Sequence, residues 1–109
     1  MTAQHKILTS ALNRLRKFKS ENELEVLPLR MINKLEGMIE DADSYAEYGY
    51  GSKSFREMNP AAMEIVKNCG ELGVQFCNLI FGIGWARCAE DPDYEQEKWK
   101  KLENWAKAA

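Results

Sequence analysis

From Asn59-Pro60 to Ala89 the chain carries its longest apolar run, uninterrupted by any further proline, and this segment constrains the fold more than any other. Asn accepts a backbone N–H bond as a helix N-cap, and Pro fits the first helical position with its φ already set. Ile65, Leu72, Phe76, Leu79, Ile80 and Ile83 spread apolar surface around most of the helix, leaving a polar strip at Asn68, Glu71, Gln75 and Asn78. A helix that is apolar over most of its circumference has to be buried. The pattern predicts a central helix over about 60–89 with the rest of the chain packed around it. Gly70, Gly73, Gly82 and Gly84 each cost on the order of 1 kcal/mol relative to alanine and mark where that helix can break or kink. At about 100° per residue, Val66, Gly70, Gly73, Cys77, Gly84 and Cys88 share a narrow arc, so small side chains line one side. Such a groove lets another backbone come close. The first or last helix of the same chain is its expected occupant, and a homodimer seam is the alternative.

The flanking segments supply those neighbours. Ile7, Leu8, Ala11, Leu12, Leu15 and Phe18 recur at helical spacing, with Thr2 able to cap the first turn, which predicts a helix over residues 3–19. Ser20 and Glu23 have capping-box spacing, but Pro28 would clash inside a helix started there, so residues 20–27 read as a linker with at most one helical turn. Pro28 opens a second helix whose stripe, Met31, Ile32, Leu35, Met38, Ile39, Ala42, Tyr45 and Ala46, runs to about Tyr48. Tyr48 to Asn59 shows no sustained period and reads as a loop, with a turn of helix around Ser54 to Glu57. Asp91-Pro92 repeats the cap logic of Asn59-Pro60 and starts a last helix bearing Tyr94, Trp99, Leu102, Trp105 and Ala106. The expected fold is a single all-α domain over residues 1–109, a small bundle of about four helices.

Composition narrows what such a bundle does. The net charge is -2, without the basic excess expected of a general nucleic-acid or anionic-membrane binder. Charge is nevertheless segregated: Met1 to Lys34 holds seven Lys or Arg against three Glu, and Leu35 to Tyr50 holds five acids and no base. Cys69, Cys77 and Cys88 form no CxxC and have no nearby histidine, so they read as reduced core residues of a cytoplasmic protein. No window supplies the roughly 20 apolar residues of a spanning helix, and the N-terminus lacks the apolar stretch of a secretion signal.

Catalytic and cofactor signals are thin. His5 is the one histidine and reads as a surface residue without ligand-spaced neighbours, so neither a metal nor another cofactor is expected. Gly82-Ile83-Gly84-Trp85-Ala86-Arg87 imitates the start of a dinucleotide fingerprint, but Arg87 replaces its third glycine and the chain has no βαβ pattern. Trp85, Trp99 and Trp105 are expected in the core between the last two long helices, with Trp105 the one able to face a partner.

One surface pattern stands out. Glu36, Glu40, Asp43 and Glu47 follow i, i+4, i+7, i+11 spacing along one flank of the second helix, where like charges repel by a few tenths of a kcal/mol per pair. The basic first helix, solvent or a basic partner can offset that repulsion. Tyr45, Tyr48 and Tyr50 add aromatic side chains of the kind favoured at interfaces. The expectation is a non-enzymatic protein-binding module that presents this acidic, tyrosine-bearing face to a basic surface of a larger nucleic-acid-handling complex. Small inhibitors encoded by phages or mobile elements, of the anti-CRISPR or other anti-defence type, have this profile. The alternatives are a small nucleic-acid-binding regulator using the first helix with Lys53 and Arg56, whose bases lie on several sides rather than on one face, and a homodimeric structural subunit whose seam is the small-residue groove.

Overall fold

A computed structural model describes residues 2–21 and 28–108 of the chain. They form α1 (Ala3–Glu21), α2 (Pro28–Glu47), α3 (Ser52–Met58), α4 (Pro60–Cys88) and α5 (Pro92–Lys107), with no strand among the described residues. The all-α bundle expected from the sequence is therefore the fold. Ser20 and Glu21 extend α1 into the expected linker, and residues 22–27 of that linker lie outside the described residues. The main addition is α3, two turns of helix where one was expected.

Local hydrogen-bond chemistry sets the helix starts. Thr2 Oγ1 accepts from the His5 N–H at 3.1 Å, Asn59 Oδ1 from the Ala62 N–H at 2.9 Å and Asp91 Oδ1 from the Tyr94 N–H at 3.0 Å. Each bond satisfies a backbone donor that the first turn leaves without an intrahelical partner.

The central helix is not straight. Gly70 sits at φ +56°, ψ −133° and divides α4 into arms 60–69 and 71–88. A straight helix of 29 residues would span about 43 Å, more than the molecule's longest dimension of 39 Å. Across the break the arms pack together. The Cys77 thiol donates to the Ala62 carbonyl at 3.9 Å, although these residues would lie about 22 Å apart along a straight helix. A Cβ on Gly73 would stand 2.6 Å from the Ile65 carbonyl oxygen.

Gly84 belongs to a second close approach. A Cβ there would fall 2.6 Å from the Ala42 carbonyl carbon and 2.6 Å from the Asp43 nitrogen, so the arm 71–88 crosses α2 backbone to backbone. The small-residue groove is thus filled within the chain at Gly73, Cys77 and Gly84. Its occupants are the arm 60–69 and α2, not the first or last helix expected. The reason lies in the partners: Ala42 gives α2 a small side chain at the crossing, and the bend at Gly70 returns Ile65 and Ala62 to the groove.

These two roles give opposite expectations for two neighbouring glycines. Gly84→Ala places a methyl group against backbone that must shift, at an expected cost of about 1–3 kcal/mol. Gly82→Ala meets the flexible Lys98 side chain at 3.5 Å and gains helix propensity, with an expected stabilisation of about 0.5–1 kcal/mol. Urea titrations of both variants check the difference in sign.

α1 and α5 close the other side of the bundle. Leu8, Leu12 and Leu15 of α1 and Trp99 and Leu102 of α5 share one buried core with Leu35, Met38 and Ile39 of α2 and Phe76, Ile80 and Ile83 of α4. Trp105 is half-buried and held against the bundle. Its indole N–H donates to Gln75 Oε1 at 3.0 Å, its carbonyl accepts from Arg14 Nη1 at 2.7 Å, and the Arg14 guanidinium lies 4.5 Å from the centre of its ring. The tryptophan that faces outward is Trp85, 47% exposed, which corrects its expected place in the core. At about 100° per residue, Trp85 projects on the side of α4 that carries Asn78, away from Gly84 and the α2 crossing.

Candidate protein-binding surface

The end of α2 builds the most distinctive surface. Gly49 takes φ +79°, the Tyr50 N–H donates to the Tyr45 carbonyl at 2.8 Å, and the Gly49 N–H donates to the Ala46 carbonyl at 3.1 Å. This is a Schellman cap, in which a left-handed glycine lets the chain satisfy the last carbonyls of the helix. Such caps bring the residue after the glycine against the one five positions earlier. Here that contact is Tyr45 on Tyr50, edge to face, with ring centres 5.4 Å apart.

α3 supports these rings from beneath. Phe55, its one residue buried below the surface, meets Tyr45 at 5.8 Å and Phe81 of α4 at 6.2 Å between ring centres. One turn before Tyr45, the Asp41 carboxylate accepts from the side-chain amide of Asn59, whose oxygen caps α4. That bond ties α2 to the start of α4 and fixes the acid in place. Asp41, Ser44, Tyr45, Tyr48, Tyr50 and Met58 then line a shallow cleft of about 210 Å³. Burial, followed by the Asp41 carboxylate and Tyr50, pushes the Tyr45 phenol above its ordinary pKa. Tyr48, Tyr50 and Met58 rim the cleft at 75%, 48% and 59% exposure.

The predicted acids lie elsewhere. On the helical wheel, Glu36, Glu40, Asp43 and Glu47 cluster within about 60°, whereas Tyr45 is about 180° from Glu36, so acids and tyrosine flank opposite margins of the buried stripe. Glu36 pairs with the His5 imidazole of α1, a contact between helices that sequence spacing does not reveal. Glu40 is exposed beside a small cleft shared with Gln4, Arg87 and Trp99. Asp43 is half-buried at the Gly84 crossing, with Oδ1 enclosed and lacking a hydrogen-bond partner, and Glu47 is exposed. Burial, then Asp43, Glu47 and Glu90, raises the Cys88 thiol pKa. The structure thus separates the expected site into an acidic flank and a tyrosine corner. It adds Asp41, Ser44 and Met58 to the corner.

Other candidate chemistry is absorbed into the fold. Cys69 and Cys77 are buried and all three cysteines are free thiols. Burial pushes Cys77 up to about 12, against a lowering influence from Arg56, leaving scarcely any thiolate near neutral pH. Arg56 has an enclosed Nε without a hydrogen-bond partner, so part of this proposed phosphate contact is turned inward. Arg14 is engaged by Trp105. No group of three metal-ligating side chains occurs among the described residues, and no described helix is long and apolar enough to cross a membrane. The segment Gly82 to Arg87 lies within α4, so its glycines form helix surface rather than a phosphate-binding loop.

No protein-family model matches this chain, and no curated protein or solved structure matches it.

Proposed function

We propose that this protein is a non-enzymatic interaction module that docks on a basic protein surface through the corner between α2 and α3. The observation that carries this reading is the exposure of Tyr48, Tyr50 and Met58 around the fixed Asp41 carboxylate. Tyrosine and methionine are enriched at protein interfaces, and the tyrosine ring buries much area for few frozen torsions. The Tyr45–Tyr50 contact also serves the helix cap, but capping does not require the Tyr48 ring. Charge selects the partner: α2 from Leu35 onward carries five acids and no base, so a basic surface is attracted and an acidic one repelled. A module seated on a basic surface that handles nucleic acid would compete with the phosphate backbone, an inhibitor's mode of action. The acidic flank, at the other margin of α2, contributes to steering rather than to the central contact.

Affinity capture from cells expressing the protein, with partners identified by mass spectrometry and then purified for titration, tests the proposal. Tyr48→Ala is expected to weaken the identified complex by at least about tenfold, as for an aromatic hot spot. Reversing the exposed Glu40 and Glu47 to lysine is expected to slow association and reduce its salt dependence. Binding by Tyr48→Ala at wild-type affinity would remove the corner from the interface. Circular dichroism of each variant controls for the fold.

A further inference from the structure

We infer that the cleft at the α2–α3 corner is a receptor for one cationic side chain, the lysine ammonium or arginine guanidinium of a docking partner. This inference rests on the corner being the docking surface and specifies what enters it. Tyr45 and Tyr50 meet with ring planes 61° apart, forming two differently directed aromatic walls, with Tyr48 on the rim. Aromatic faces carry negative electrostatic potential and attract ammonium and guanidinium groups within about 6 Å of the ring centre. The Asp41 carboxylate adds negative charge, and the described lining residues include no lysine, arginine or histidine to compensate it. Its identified hydrogen-bond partner is the neutral Asn59 amide. A neutral apolar occupant would desolvate this carboxylate without balancing it, whereas a cation would do both.

Size narrows the ligand further. The cleft volume is about 210 Å³, below the roughly 300–1,000 Å³ of pockets that enclose drug-sized molecules, and it opens broadly to the surface. It suits the end of one long side chain arriving on a larger partner. The Met58 thioether supplies a flexible, polarisable edge. The Schellman cap, the Phe55 support and the Asp41–Asn59 bond hold most of the receptor in place before binding, which limits the ordering cost.

Aromatic NMR of the full chain, titrated with choline and with the neutral isostere bearing tert-butyl in place of trimethylammonium, tests the charge requirement. Choline is expected to shift the ring resonances of Tyr45, Tyr48 and Tyr50 and to bind about tenfold more tightly than the isostere. Acetylated lysine and arginine amides, titrated separately, show which natural side chain is preferred. Asp41→Asn and Tyr48→Ala are each expected to weaken choline binding by about tenfold. Because Asp41 also supports Asn59, Tyr48→Ala is the cleaner variant: its ring is largely exposed. Equal binding of choline and the isostere, or the absence of tyrosine shifts with every cation, overturns the receptor. If the receptor fails while Tyr48→Ala still weakens the captured complex, the docking surface stands. If cations bind but Tyr48→Ala leaves the complex unchanged, the docking proposal falls.

Discussion

Phe55→Ala is expected to lower the free energy of unfolding by about 3–5 kcal/mol, the range for truncating a buried phenylalanine. Phe55 is fully buried and is the only residue of α3 in that class. A seven-residue helix cannot sustain itself in water, because nucleation of an isolated short helix is unfavourable. α3 therefore depends on this ring, which joins Tyr45 to Phe81 across two helices. Its loss removes the support beneath Tyr45 and loosens the segment carrying Met58. Urea unfolding measures the global loss, and hydrogen exchange locates it. Early loss of protection over Ser52–Met58 is expected even where the remaining bundle is retained. A destabilisation below about 1 kcal/mol with unchanged Tyr45 resonances would show that Phe55 does not hold the corner together.

The same anchor explains which parts of the molecule the sequence reveals. Asn59-Pro60 and Asp91-Pro92 announce their helices because capping is a local reaction between a side chain and a backbone amide two or three positions on. α3 gives little comparable signal: its sequence presents no apolar period, and one distant contact set around Phe55 secures it. The break in α4 is similarly difficult to place. Gly70, Gly73, Gly82 and Gly84 carry nearly the same intrinsic helix cost. Their roles differ because Ile65, Ala42 and Lys98 meet different glycines in three dimensions, while Gly70 turns the backbone.

The candidate surface was partly accessible by the same arithmetic. Helical spacing aligns the four acids, but applied nine residues beyond Glu36 it also puts Tyr45 on the opposite side. Asp41 carries a readable signal, standing one turn before Tyr45. Met58 does not, since its place at the cleft depends on the return of α3. Tyr48 and Tyr50 depend on a left-handed turn at Gly49 that directs one ring outward and the other against Tyr45.

Gly70→Val is expected to destabilise the protein by about 3 kcal/mol, near the upper range for a residue held in sparsely allowed backbone geometry. Beyond the adjoining backbone, a Cβ at this position meets no atom within 4 Å, so crowding by packed neighbours is not the source of the cost. The source is φ +56°, ψ −133°, which an L-residue resists and a β-branched one resists most. Escape into helical geometry would straighten α4, separating Gly73 from Ile65 and Cys77 from Ala62. Chirality offers a direct test. The mirror image of the Gly70 conformation, φ −56°, ψ +133°, lies near the polyproline II basin, so D-alanine accepts the bend that L-valine opposes. Ligation at Cys69 permits its introduction immediately after the junction. D-alanine in place of Gly70 is expected to stabilise the fold by about 0.4–1 kcal/mol through reduced freedom of the unfolded chain. L-alanine there is expected to destabilise it by about 1–3 kcal/mol. Equal stability of the D- and L-alanine proteins would eliminate the bend as a backbone-encoded feature. The expected opposite shifts would locate its origin at this single residue.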